Sequence, residues 1–306
     1  MNDAGISKKR IVVIAGPTAI GKTNMSIAIA QHLQAPIISA DSRQFYEEIK
    51  IGSASPTPDE LVKVPHYFIG DRSIFNPLNS GSYADEVNLL LPLLFKTSKT
   101  VILCGGSGLY IDAVVEGFDK MPETDLQIRQ EIELKYEANG IEWLQQELKK
   151  VDLPYYLMVD LANPQRLIRA LAVFQTTGDT YSSFRQKKNK KELDFEVIYF
   201  VVNTDREKLY YRINQRVEDM IQLGLVAEAS KVYPHKQINA LQTVGFKELF
   251  KYFDGAWDLK TAIDQIKQNT RRFAKRQLTW FRKKDAIWID ADDQSKAIAE
   301  IIKLLS

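Results

Sequence analysis

Cysteine is nearly absent: Cys104 is the only one in 306 residues, so no intramolecular disulfide can form. That suits a reducing compartment. Within Val101-Ile102-Leu103-Cys104 the thiol reads as a small buried hydrophobe rather than a reactive group. No apolar run approaches the ~20 residues of a membrane span, and Met1-Asn2-Asp3-Ala4-Gly5 shows no signal-peptide pattern. A cytoplasmic protein without membrane contact is expected. His66 has no second histidine, cysteine or acid at ligand spacing, which argues against a zinc-type site. Net charge is only +2, so composition does not announce a nucleic-acid binder. Yet from Lys267 to Lys284 eight cationic side chains occur without one acid. A basic face on a near-neutral chain points to a specific anionic partner.

What is present is more decisive. The apolar run Ile11–Ala15 leads into Gly16-Pro17-Thr18-Ala19-Ile20-Gly21-Lys22-Thr23, and a helical pattern follows. Strand, glycine-bounded loop and helix form the context of a phosphate-cradling P-loop. The glycines let backbone N–H groups turn toward an anion, and the helix N-terminus adds its dipole. Lys22 is expected to reach the outer phosphate and the Thr23 hydroxyl to hold a magnesium ion.

The 45% apolar content suffices for a large core, and the length suggests about two domains. Strands are expected at 11–15, 36–40, 67–69, 100–104, 195–202 and 286–290. Helices are expected at 22–33, 82–95, 108–115, 206–223, 259–282 and 295–305. Strands separated by helices argue for a doubly wound parallel α/β sheet. The stretch from about Asp119 to Lys191 has helical, charge-rich patterning and no convincing strand, so it reads as an insertion. Gln186–Lys191, rich in lysine, is its solvated exit linker.

Asp41 follows the second strand, where carboxylates in open α/β sheets face the ligand crevice. It could coordinate magnesium through water, accept a proton, or merely cap the next helix. Gly105-Gly106-Ser107-Gly108 follows the fourth strand in place of the acid that many P-loop nucleotidases put on magnesium. A ligand contact and a plain structural turn are both open there. Asn163 and Pro164 begin a helix on which Arg166 and Arg169 share a face, suited to phosphate or to ordinary salt bridges. Arg271 with Lys275, and Arg272 with Arg276, are like charges at i,i+4 that call for a compensating anion. Phe273, Trp280 and Phe281 read as core-facing.

Taken together, these segments resemble the tRNA dimethylallyltransferase (isopentenyl-tRNA transferase) family. The resemblance rests on Gly16–Thr23, Asp41–Tyr46 with Ile51–Ala54, Val64-Pro65-His66 and Gly105–Tyr110. It continues through Asn163–Leu171, Thr177-Gly178, Arg216 to Leu225, Val244–Leu249 and Ala274–Trp280. It implies a P-loop NTPase-like core at 8–118 and 195–306, with a helical tRNA-binding domain inserted at 119–194. It also implies transfer of a dimethylallyl group from dimethylallyl diphosphate to the exocyclic amine of the adenosine beside the anticodon. Diphosphate would sit on Gly16–Thr23, with Lys22, Thr23 and Mg2+ stabilising it. Asp41 would be the general base, assisted by Ser107, and Thr23 and Asp41 the metal contacts. The tRNA would meet Asp41, Ser42, Arg43, Gln44 and Ser107, and also Arg129, Gln165, Arg166, Leu167, Ile168 and Arg169. Lys275 and Arg276 would grip either pyrophosphate or tRNA backbone. The family more usually has threonine at position 107 and a small or apolar residue at 43. The rival readings are an enzyme using a free adenine nucleotide as acceptor and a small-metabolite P-loop kinase. A monomer is expected.

Overall fold

The computed structural model describes residues 9–117, 121–185 and 194–305. Six strands, β1 (Arg10–Ala15), β2 (Ile37–Ser39), β3 (His66–Tyr67), β4 (Thr100–Gly105), β5 (Glu196–Asn203) and β6 (Ile287–Asp290), form one sheet in the order β3-β2-β4-β1-β5-β6. Every pairing is parallel. The α-helices are α1 (Lys22–Leu33), α2 (Pro58–Leu61), α3 (Ser80–Leu94), α4 (Gly108–Val115), α5 (Leu126–Val151), α6 (Leu153–Tyr156) and α7 (Pro164–Thr177). They continue with α8 (Tyr181–Phe184), α9 (Arg206–Gln222), α10 (Leu225–Val232), α11 (Phe246–Phe253), α12 (Leu259–Phe281) and α13 (Gln294–Leu305).

The unbroken apolar run of β1 has its reason in burial on both faces, which parallel strands in such sheets require. Ile11, Val13 and Ala15 enter one core, with Tyr83 and Val87 of α3 and Phe281 of α12. Val12 and Ile14 enter a second, with Met25 and Ile29 of α1 and Ile301 of α13. The expected strands lie within one or two residues of those observed, and β3 shortens to two residues. Helices α10 and α11 were not expected.

The chain divides into two compact units, Met1–Val115 with Glu192–Ser306, and Glu116–Lys191. The first carries the sheet. The second is helical, and its core joins Ile132, Leu144 and Leu148 of α5 to Leu167, Ile168 and Leu171 of α7. Gly140 kinks α5 at φ 79°. Position 119, the expected start of the insertion, and the expected linker 186–191 lie outside the described residues.

Candidate active site

Because β2, β4 and β1 are neighbours, the loops at their carboxyl ends meet. Ala40 N donates to Cys104 O at 2.7 Å and Ser107 N to Ala40 O at 3.2 Å. The Ser107 hydroxyl accepts from Ser42 N at 3.1 Å and lies 3.3 Å from the Ser42 hydroxyl. Asp41 Oδ1 accepts from Arg43 N at 3.0 Å, closing its own turn, and Oδ2 has no hydrogen bond among the described residues. Asp41 therefore caps a tight turn rather than a helix, and keeps one oxygen uncommitted.

A cavity of about 540 Å³ opens here. Thr18, Asp41, Ser42, Arg43 and Ser107 give it polar lining, and Ile213, Val217, Met220, Leu225 and Ile266 apolar lining. Of the loop Gly16–Thr23, only Thr18 lines it. Gly16 and Pro17 are buried, and Ile20 is a core side chain, so these three can offer a ligand backbone only. Gly21, at φ 97°, begins α1 with no side-chain cap, leaving the helix entry to an anion.

Lys22 does not extend toward the cavity. Its ammonium donates to the carbonyls of Gly16 at 3.0 Å and Pro17 at 2.8 Å. Burial lowers its pKa to about 8, with Asp41 pulling it back up and Arg216 adding to the fall. Burial also lowers Arg216, and the Asp41 carboxylate partly offsets that. Arg216 lines the cavity without a hydrogen bond or ion pair among the described residues. Sequence reasoning gave it no role, although it interrupts the apolar spacing Ile213–Val217–Met220 on α9. Cys104 lies 3.9 Å from Lys22 O, and burial raises its thiol, as suits an unreactive cysteine.

Part of the basic stretch is engaged within the fold. Lys267 pairs with Glu218, and Lys284 pairs with Asp112 at 2.6 Å. Arg271 bonds Asn214 at 2.7 Å. Arg276 reaches the cavity, whereas Lys275 is exposed and does not line it. Phe281 is buried as expected, but Phe273 is 38% exposed and lines the cavity rather than entering the core. Trp280 also lines the cavity, its indole N–H on Asp112 at 3.1 Å. Gln44 spends its carboxamide inside the fold, on Ser39 at 2.9 Å and Ala54 O at 3.2 Å.

In the helical unit, Asn163 caps α7 as expected. Arg166 is exposed and its guanidinium has no partner among the described residues. Arg169 is tied to Thr124 at 2.8 Å and Pro122 O at 2.9 Å, and Arg129 to Glu133 and Gln165. The expectation that Leu167 and Ile168 face a nucleic acid needs correction. Their side chains are 0% and 1% exposed in the unit's core, where the amphipathic face of α7 puts them.

The IPP transferase family model matches residues 44–284. The chain belongs to that family. It is 50% identical to the tRNA dimethylallyltransferase of Christiangramia forsetii over 96% of this chain and 97% of that protein. It is 46% identical to tRNA dimethylallyltransferase 1 of Phocaeicola vulgatus, over 95% and 97%. Its structure is similar to that of the full-length tRNA isopentenylpyrophosphate transferase from Bacillus halodurans, with a TM-score of 0.71 and 34% identity over 97% and 96% of the two chains.

Proposed function

We propose that this chain transfers the dimethylallyl group of dimethylallyl diphosphate to the exocyclic amine of the adenosine 3′-adjacent to the anticodon in tRNA. The observation that carries the reading is convergence. Thr18 of the glycine loop, an arginine without a hydrogen bond among the described residues and a carboxylate with one uncommitted oxygen line one cavity that also has an apolar wall.

The diphosphate takes the loop Gly16–Thr23, with the Lys22 ammonium turning from its carbonyls to the anion and Arg216 meeting it. Ile213, Val217 and Met220 suit the five-carbon tail. As the adenine nitrogen attacks, the carbon–nitrogen bond forms and the allylic carbon–oxygen bond breaks, and diphosphate leaves with the electron pair. Asp41 accepts the amine proton once bonding to carbon has made it acidic, and Ser107 holds the Asp41 turn through Ser42. The adenine enters as a flipped base. Fixed cations matter most where charge grows, on the leaving diphosphate.

The donor set fits magnesium, which keeps several waters and takes few protein ligands beside phosphate oxygens. Thr23 and Asp41, the latter through water, would hold it, and no cluster of three or more His, Cys, Asp or Glu stands among the described residues. When bound, the ion would offset negative charge on the diphosphate.

Arg129, Gln165, Arg166 and Arg169 of the helical unit, with Arg43 and Arg276, are the proposed tRNA contacts. A monomer leaves the cavity open to so large an acceptor. No helix among the described residues is long and apolar enough to cross a membrane, and we assign the protein to the cytoplasm with its substrate. The test is incubation with magnesium, labelled dimethylallyl diphosphate and either unmodified tRNA or AMP. Label in tRNA supports the reading. Label in AMP alone, or γ-phosphate transfer from ATP, overturns it.

A further inference from the structure

Gln277 is 6% exposed on α12, and both ends of its carboxamide are used. Oε1 accepts from Thr18 N at 2.9 Å, and Nε2 donates to Gly106 O at 2.9 Å. One side chain thus joins the loop after β1 to the loop after β4, both on the cavity wall. The fit is close on the other side as well: a Cβ on Gly106 would lie 2.3 Å from Gln277 Nε2 and 3.4 Å from Gly16 O. The helix that carries Gln277 is fixed on either side of it. Asn269 bonds Glu248 at 2.7 Å, and Trp280 bonds Asp112 of α4, the helix that begins just after Ser107.

We propose that Gln277 is a positioning residue that sets the spacing between the loop holding the leaving diphosphate and the loop holding the acceptor base. The proposal rests on the site reading given above. Thr18 N, spent on the carboxamide, orients the first loop instead of binding phosphate. Each substrate contacts mainly its own loop, so a change of spacing alters their alignment more than the binding of either. Alignment errors near 1 Å can cost about 100-fold in rate.

The experiment measures kcat and both KM values from pH 6 to 9 for the wild type, Gln277→Met and Gln277→Glu. Ile301→Val in α13 serves as a control that loosens the core away from the cavity. For Gln277→Met, kcat is expected to fall about 10- to 100-fold with both KM values within about threefold. Gln277→Glu supplies a conditional rescue. A protonated carboxyl accepts from Thr18 N and donates to Gly106 O as the carboxamide does, whereas a carboxylate opposes the Gly106 carbonyl. Its rate relative to wild type should rise as pH falls, while that of Gln277→Met stays flat. If Gln277→Met does not fold, that pH-dependent ratio carries the test. Unchanged kcat in Gln277→Met, a loss confined to KM, a flat Gln277→Glu ratio, or an equal kcat loss in Ile301→Val overturns the proposal. Asp41→Asn is run alongside. Full activity in that variant undoes the site reading itself, whereas an impaired Asp41→Asn beside a normal Gln277→Met undoes the spacing role alone.

Discussion

Lys22 donates to the carbonyl of Pro17 at 2.8 Å, folded back on the loop that precedes it. Its lowered pKa, about 8 through burial, would make the proposed diphosphate binding a proton-linked event. An anion beside the ammonium raises that pKa, so the complex holds a proton that the free protein has lost above pH 8. Affinity for inorganic pyrophosphate should therefore be level in this respect below pH 8. Above it, affinity should fall by up to about tenfold per pH unit. In Lys22→Arg the guanidinium stays charged and this limb should flatten. Calorimetric titration from pH 7 to 10 checks it; identical limbs in the two proteins would exclude Lys22 as the titrating group.

Asp41→Asn keeps the oxygen that accepts from Arg43 N and so preserves the turn. The expected result is a single-turnover prenyl-transfer rate lower by about 10²- to 10⁴-fold, with pyrophosphate affinity nearly intact. A wild-type rate in rapid-quench measurements removes Asp41 as base.

Arg216 is half-buried on the cavity wall, without a hydrogen bond or ion pair among the described residues, and burial lowers its pKa. Replacing such a group with an apolar one relieves a desolvation cost. Arg216→Met should raise the denaturation midpoint while weakening pyrophosphate binding about 10- to 100-fold, the range of a charge-assisted hydrogen bond. Loss of both stability and affinity would instead mark Arg216 as a structural residue.

Arg166 and Arg169 should separate. Arg166→Ala, which removes an exposed and unpartnered guanidinium, should weaken tRNA binding severalfold and lower its salt slope by about one, with stability and diphosphate affinity unchanged. Arg169→Ala should also lower stability, because Thr124 and the Pro122 carbonyl in the 121–125 segment lose the bonds that Arg169 donates to them. Filter binding across a salt series and urea melts distinguish the two.

The strands and the phosphate loop were legible because each depends on a few adjacent residues. β1, with its continuous apolar run, and α1, opened by Gly21, need no distant information. Helix α11 was not legible. It spans eight residues rich in Phe and Tyr, poor helix formers, and its start depends on Gly245 at φ 100° capped by Glu248. Asp41 and Ser107 could be placed at strand ends, but their meeting depends on β2 and β4 lying side by side. Arg216 and Gln277 act across the fold, and nothing in their local sequence states what they face. At Leu167 and Ile168 the resemblance misled because a matched segment was taken whole, buried positions included.

The bond from Thr18 to Gln277 spans 259 positions of the chain. A nascent polypeptide leaving the ribosome carries its glycine turn from the outset, yet cannot secure it until nearly all of the remaining sequence has been synthesised. Fragments released by premature termination therefore lack this clasp, however well their first strands pair.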